Sequence, residues 1–357
     1  MTRVLHVTEA AGSGTLHIVR SLAARLAEAG HEVAIAHGQR PETPADVSSG
    51  LPPTVLVHAL PWSRRTARAQ LVAARALRAF ARDWEPDIVH LHSSFAGAVG
   101  SLSLPRGAAV VYTPHGSASA RRRDGALRRA GYRAVERAVV RRVTLVGAVS
   151  EAEAQLAREL ARAAPVTIVR NGIGELDRTA RSGRQKQAAQ LVLAGGRIGP
   201  ARRPAESARI LTALRDRAEV AWVGAAPNGE EAPLRAAGVP VSGWLPREEV
   251  LARLGDASVY LHWSAWDGLP LMVLEAMARD AVVVASDIPA NREALGDRQT
   301  CRTEAEAADL IRRLLDDPGL RGEMLAEQHA RRTDFGADRM LADWTDVYAR
   351  LLAATGR

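Results

Sequence analysis

The chain has 357 residues, 47% of them hydrophobic and 25% charged, an ordinary globular balance with room for two domains. No apolar run reaches the length of a membrane-spanning helix, and Cys301, the only cysteine, excludes an internal disulfide. The formal charge of +8 and a pI near 10.6 favour acidic ligands or anionic surfaces, without separating nucleotide sugar, nucleic acid and lipid.

In chain order, short β-branched runs alternate with amphipathic stretches rich in Ala and Arg. Strands are predicted at Arg3–Thr8, Glu32–Ala36, Thr54–His58, Asp87–His92, Ala109–Thr113, Val143–Ser150 and Val166–Val169. Helices are predicted between them at Leu16–Ala29, Thr66–Arg82, Gly125–Arg142 and Glu151–Ala163. The N-terminus reads as the first strand rather than a signal peptide, so a cytoplasmic location is expected. From about Asn171 to Ala189 periodicity fades among Gly172, Gly174, Gly183 and several charges, which reads as a linker. A second series follows. Its strands are Gln190–Ala194, Val220–Val223, Val239–Ser242, Ser258–His262 and Ala281–Ala285. Its helices are Pro204–Arg215, Arg247–Leu254, Leu271–Arg279 and Glu304–Leu315. A last amphipathic helix, Ala337–Leu352, carries Met340, Trp344, Val347 and Tyr348 on one stripe. Alternating strands and helices imply α/β architecture, with two doubly wound, Rossmann-like parallel domains. The expected division is 1–171, a linker at 172–189, 190–336, and a C-terminal helix at 337–357. Two such domains would face across a cleft, the usual place for a small ligand.

The most informative segment is Trp266-Asp267-Gly268-Leu269-Pro270, followed by the predicted helix holding Glu275. Pro270 suits a first helical turn, and free N–H groups at that helix start favour phosphate. Asp267 and Glu275, eight positions apart, can accept hydroxyls of a sugar and a ribose respectively. Gly195-Gly196-Arg197, directly after a strand and followed by Arg202-Arg203-Pro204, lets backbone and cations approach a diphosphate. Each segment alone also reads blandly, as a capped helix with solvated acids and as an exposed basic turn.

The first segment resembles the Glu-x7-Glu signature of family 4 glycosyltransferases of the GT-B type, with Asp267 at the place of the first Glu. The second resembles that family's Gly-Arg-x4-Lys segment, with Arg197 at the Arg and Arg202 at the Lys. Other segments carry the likeness along the chain. Tyr112-Thr113-Pro114-His115-Gly116 resembles the family's T-x-H-G turn, and Pro86-Asp87-Ile88-Val89-His90-Leu91-His92 its P-D-x-V-H-x-H segment. Val149-Ser150-Glu151 and Asn171-Gly172-Ile173 match further segments. Gly12, Gly14 and Thr15 stand where the family has its glycine-rich acceptor-side loop. The combination is similar to bacterial exopolysaccharide and capsule enzymes.

The resemblance implies a retaining glycosyltransferase moving a hexose-type sugar from a nucleotide-diphosphate sugar, UDP favoured. The acceptor would be a hydroxyl of a glycan, a polyprenyl-linked lipid or a small metabolite. It implies His115, Asp267 and Glu275 around the reacting sugar and ribose. Arg197, Arg202, Gly268, Leu269 and Pro270 would hold the diphosphate, and Gly224, Gly243, Trp244 and Leu245 the nucleoside. In family members the final helix crosses back onto the first domain. There is no D-x-D triplet, so neither metal nor other cofactor is expected. His90 and His92 share one side of a strand without an acidic or Cys partner at ligand spacing. His115 also reads as a satisfied core histidine.

The arginines around Gly125–Val140 read either as a solvated face or as a peripheral contact with the anionic inner membrane face. Three other readings stay open: a GT-B nucleotide-sugar epimerase, a basic, non-catalytic nucleic-acid- or anion-binding protein, and a non-enzymatic degenerate transferase, since Asp267 and Arg202 are both substitutions. Aromatic content of 4% supplies few stacking platforms, so no nucleic acid is expected as partner.

Overall fold

The computed structural model describes all residues except 10–13, 41–42, 65, 105–106, 117–124, 161–163, 175–189, 227–228 and 356–357. Residues 175–189 of the linker expected at 172–189, Gly12, and Arg121-Arg122-Arg123-Asp124 lie outside the described residues. The chain forms two compact units, Met1–Gly172 with Ala337–Arg357, and Ile173–Gly336.

The first unit holds β1 (Arg3–Thr8), β2 (Glu32–His37), β3 (Val55–Ala59), β4 (Ile88–His92), β5 (Ala109–Thr113), β6 (Leu145–Ala148) and β7 (Val166–Ile168). They make one parallel sheet in the order β3-β2-β1-β4-β5-β6-β7. β4 and β5 are buried along their whole length, which is why they read as continuous apolar runs rather than alternating ones. The helices are α1 (Gly14–Glu28), α2 (Ala67–Trp84), α3 (Ser94–Ser103), α4 (Ala126–Val140) and α5 (Glu151–Leu160). The periodicity misses α3, whose sequence SFAGAVGSLS has weak helix formers. Its glycines are what let it lie close on the sheet: a Cβ at Gly97 would meet the Tyr112 ring, and one at Gly100 the Leu91 side chain.

The second unit holds β8 (Leu191–Gly195), β9 (Glu219–Val223), β10 (Val259–His262), β11 (Val282–Ser286) and β12 (Thr300–Cys301), in the order β12-β11-β10-β8-β9. All their pairings are parallel. Its helices are α6 (Pro204–Thr212), α7 (Ala232–Ala236), α8 (Arg247–Asp256), α9 (Leu271–Ala278), α10 (Pro289–Leu295), α11 (Glu304–Asp316) and α12 (Pro318–Arg332). The strand predicted at Val239–Ser242 does not form. Only isolated bridges join Val241 to Trp222 and Gly243 to Gly224, because the positive φ of both glycines turns the chain away.

The last helix, α13 (Ala337–Thr355), returns to the first unit. Trp344 lies so close to β6 that any side chain at Gly147 would collide with its indole. Tyr348 hydrogen-bonds His90 on β4, and Asp338 pairs with Arg25 of α1.

Both sheets reverse direction beside their first strand, at β1/β4 and at β8/β10. Loops leaving the carboxyl ends of such neighbours diverge and leave a crevice, the usual ligand place in open α/β sheets. Each pair delivers chemistry there: Thr8 and His92 in the first unit, Gly195 and His262 in the second.

Candidate active site

In the second unit β8 ends on Gly195-Gly196 and β9 on Val223-Gly224. Gly224 has φ of 130° and stands against the Gly196 carbonyl, so a Cβ there has no room. Trp222 Nε1 donates to that same carbonyl at 3.0 Å, and Gly224 N donates to Ser242 Oγ at 3.1 Å. Of the residues expected at the nucleoside, Gly224 and Gly243 are thus joined by a bridge, with Leu245 half-buried nearby in sequence and the Trp244 side chain 54% exposed.

Arg197 is exposed on the loop after Gly196. Arg202 instead folds back over Gly196, where a side chain would crowd its Nε. Its Nη1 donates to Asp267 Oδ2 at 2.6 Å and to Ser264 Oγ at 2.8 Å. The substituted positions of the two donor-side segments, Arg202 and Asp267, are therefore direct partners. Asp267 Oδ2 takes a second hydrogen bond from His262 Nε2 at 3.0 Å. Burial alone would raise the Asp267 carboxyl, but Arg202 and then His262 outweigh it and hold it well below the usual carboxylate range. Asp267 is an anion with one oxygen doubly bound and its side chain still 15% exposed.

Gly268, Leu269 and Pro270 are buried in the turn that follows. Pro270 sits at the cap rather than inside the first turn, one residue earlier than expected. No side chain caps α9, because Pro270 at its cap has no side-chain acceptor. Glu275 lies on the buried side of α9, 2% exposed, and accepts from Arg247 Nη1 at 2.6 Å. Sequence reading missed Arg247. It is the first residue of α8, 28 positions away, and nothing in local spacing links it to Glu275.

In the first unit His6 on β1 stands beside His90 on β4, and the Pro114-His115 turn follows β5. His6 Nδ1 meets His92 Nε2 at 3.0 Å, and His92 Nδ1 meets His115 Nε2 at 2.9 Å. His90 bonds the Tyr348 hydroxyl at 2.7 Å and the Thr113 hydroxyl at 2.8 Å. Burial lowers all four rings: His6 to about 3, His115 to about 4, and His90 and His92 well below the ordinary value. They are neutral near pH 7.

His6, His90 and His92 place ring nitrogens within 4.8 Å of one another, the one such metal-ligand grouping among the described residues. Hydrogen bonds already engage these nitrogens except His6 Nε2, so the cluster is coherent as a stacked, hydrogen-bonded array. His6 escaped the sequence reading because its partners lie more than 80 positions away.

His115 adopts φ of 51°, an unusual conformation for a non-glycine residue. Glu153, also missed, holds the turn: its carboxylate accepts Gly116 N at 2.7 Å and Val149 N at 3.0 Å. Glu153 N bonds Ser150 Oγ, so the Ser-x-x-Glu spacing is a capping-box variant, and Glu151 is exposed. Gly14 and Thr15 open α1, Gly14 exposed and Thr15 half-buried.

Comparison with known proteins follows the same division. The profile described as Glycosyltransferase Family 4 matches residues 13–174, and that described as Glycosyl transferases group 1 matches residues 231–331. No curated protein matches the sequence. Among solved structures the chain is similar to sucrose-phosphate synthase from Thermosynechococcus elongatus, with TM-score 0.83 and 18% identity over 99% of this chain and 100% of that one. It is similar to HepE of Anabaena in complex with UDP-glucose, with TM-score 0.78 and 16% identity over 99% and 100%. WaaG, a glycosyltransferase involved in lipopolysaccharide biosynthesis, gives TM-score 0.72 and 16% identity over 99% and 98%. At these identities the likeness is one of fold: GT-B, with two Rossmann-like domains.

Proposed function

Because the chain is a family 4-type glycosyltransferase with a GT-B fold, we propose that its second unit binds a nucleotide-diphosphate sugar, a UDP-hexose by preference. The observation that carries this is the set of Arg202, Asp267 and the uncapped start of α9 at the β8/β10 switch, with Glu275 behind them. The UDP preference rests on HepE, a fold relative seen with UDP-glucose.

In this reading Arg197, Arg202 and the N–H groups from Gly268 to the start of α9 receive the diphosphate. Asp267 orients the sugar hydroxyls and Glu275 the ribose. Neutral His115 offers a hydrogen bond to the reacting sugar. The bond from the anomeric carbon to the phosphate oxygen breaks as the acceptor oxygen attacks from the same face. The acceptor proton passes to the departing phosphate, and configuration is retained. Arginines and helix dipole supply the positive charge, so no metal enters the scheme.

The test is UDP release from a panel of UDP-hexoses. Glu275→Ala and Arg197→Ala should each lower turnover at least about tenfold, the worth of one charge-assisted hydrogen bond. Folded variants with full turnover would sink the assignment.

The acceptor is a glycan, polyprenyl-linked or small-molecule hydroxyl. A lipid-linked one is favoured by α4, where Leu127 is 89% exposed among exposed Arg128, Arg133 and Arg137. Sedimentation with anionic vesicles should show salt-sensitive binding that is weakened by Leu127→Asp. Equal partition to neutral vesicles would contradict it.

A further inference from the structure

Behind Asp267 runs a hydrogen-bonded chain that the proposed chemistry has not used. Tyr260 and His262 alternate on β10, and both are buried. The Tyr260 hydroxyl lies 3.2 Å from His262 Nδ1 and 3.4 Å from the Gly195 carbonyl. His262 Nε2 lies 3.0 Å from Asp267 Oδ2 and 2.9 Å from Ser264 Oγ.

Only one proton arrangement satisfies the chain. Asp267 is ionised and only accepts, so His262 Nε2 must carry the proton. Burial first, and the Arg202 charge second, keep His262 neutral. Its Nδ1 is then a bare acceptor, and the Tyr260 hydroxyl can turn its one proton to it at 3.2 Å instead of to the more distant Gly195 carbonyl at 3.4 Å. Burial raises Tyr260 far above its ordinary value, so that proton is present. Arg202 and His262 converge on the same oxygen, Oδ2. No described residue is hydrogen-bonded to Oδ1, and it is not among the buried atoms left without a partner.

We infer that His262, its tautomer set by Asp267 and backed by Tyr260, is a positioning residue. It pins Asp267 through Oδ2 and so presents Oδ1 to the hydroxyls of the donor sugar. Aspartate is one methylene shorter than glutamate, so its reach depends on this second anchor. The inference rests on the reading of Asp267 as the sugar-orienting acid.

The experiment pairs calorimetric titration with imidazole 15N NMR on the full chain, with UDP and UDP-glucose as probes. At neutral pH the ligand-free chain should show His262 as the Nε2–H tautomer, and Tyr260→Phe should keep it, because Asp267 still accepts from Nε2. A Nδ1–H tautomer in the parent chain overturns the inference without any ligand. In His262→Leu, UDP affinity should stay within about twofold while UDP-glucose loses its added affinity and turnover falls roughly tenfold. His262→Gln, which keeps a donor near Nε2, should restore most of that loss. Equal loss of UDP and UDP-glucose binding in His262→Leu means a structural role only and overturns the inference. Loss in Asp267→Ala with none in His262→Leu overturns the positioning role alone. No loss in Asp267→Ala overturns the reading of the acid and the inference with it.

Discussion

In the proposed donor site Asp267 is a short acid held from two sides. Its Oδ2 is held by a guanidinium at 2.6 Å and an imidazole at 3.0 Å, and both partners are fixed by neighbouring strands and loops. Asp267→Asn keeps the shape but replaces a charge-assisted pair by a neutral one. It should reduce turnover by roughly ten- to a hundredfold and also lower the melting temperature, because the Arg202 charge loses its anionic partner, checked by kinetics beside thermal unfolding. An Asn variant as active as the parent would remove the need for the anion. Asp267, Glu275, Arg197 and Arg202 were legible in the sequence because each sits in a short segment whose spacing carries meaning. Arg247, His262, Glu153 and His6 were not. Each is defined by a contact with a residue in a different segment or at an uninformative spacing.

Among the elements, the turns after β8 and β9 depend on glycine for two reasons at once. Gly224 needs its positive φ, and it needs the absence of a Cβ against the Gly196 carbonyl. Gly224→Ala should destabilise the second unit by about 1–3 kcal/mol and weaken nucleotide binding, readable as a lowered thermal transition. An unchanged transition would show that the turn relaxes. Most strands were visible as continuous apolar runs, since burial on both faces writes them, but the 15-residue α12 was not read, nor were β12, α7 and α10. α3 was hidden because its small residues serve close packing on Tyr112 and Leu91, which overrides weak local propensity. The Val239–Ser242 strand was a false reading, since a short apolar run cannot announce that its neighbours turn away at Gly224 and Gly243.

At the scale of the whole molecule, one unit is built from both ends of the chain. Trp344→Ala on α13 should cost about 3–5 kcal/mol in the first unit by opening a cavity over β6. Calorimetry would show that unit's transition lowered, and a shift confined to the second unit would contradict the packing. The same unit buries His6, His90, His92 and His115 as neutral rings, with His6 lowered to about 3 and His115 to about 4. Unfolded histidines titrate near 6.5, so below that value the unfolded chain binds more protons. Stability is full above about pH 6.5 and declines as pH falls toward 4. A thermal midpoint that held steady from pH 6.5 to 4.5 would contradict neutral burial. No helix among the described residues is long and apolar enough to cross a membrane. The two-domain α/β organisation was plain in the alternation of elements, but the donor base was not, since backbone around Gly224 and Gly243 rather than side-chain identity would meet it. Calorimetric titration of the intact chain with UDP, GDP and ADP therefore comes first. Saturable binding of one of them, UDP by expectation, abolished in folded Glu275→Ala and Arg197→Ala, is the predicted result. A folded chain that binds none of the three, or variants that bind as the parent does, would contradict a nucleotide-sugar site in the second unit.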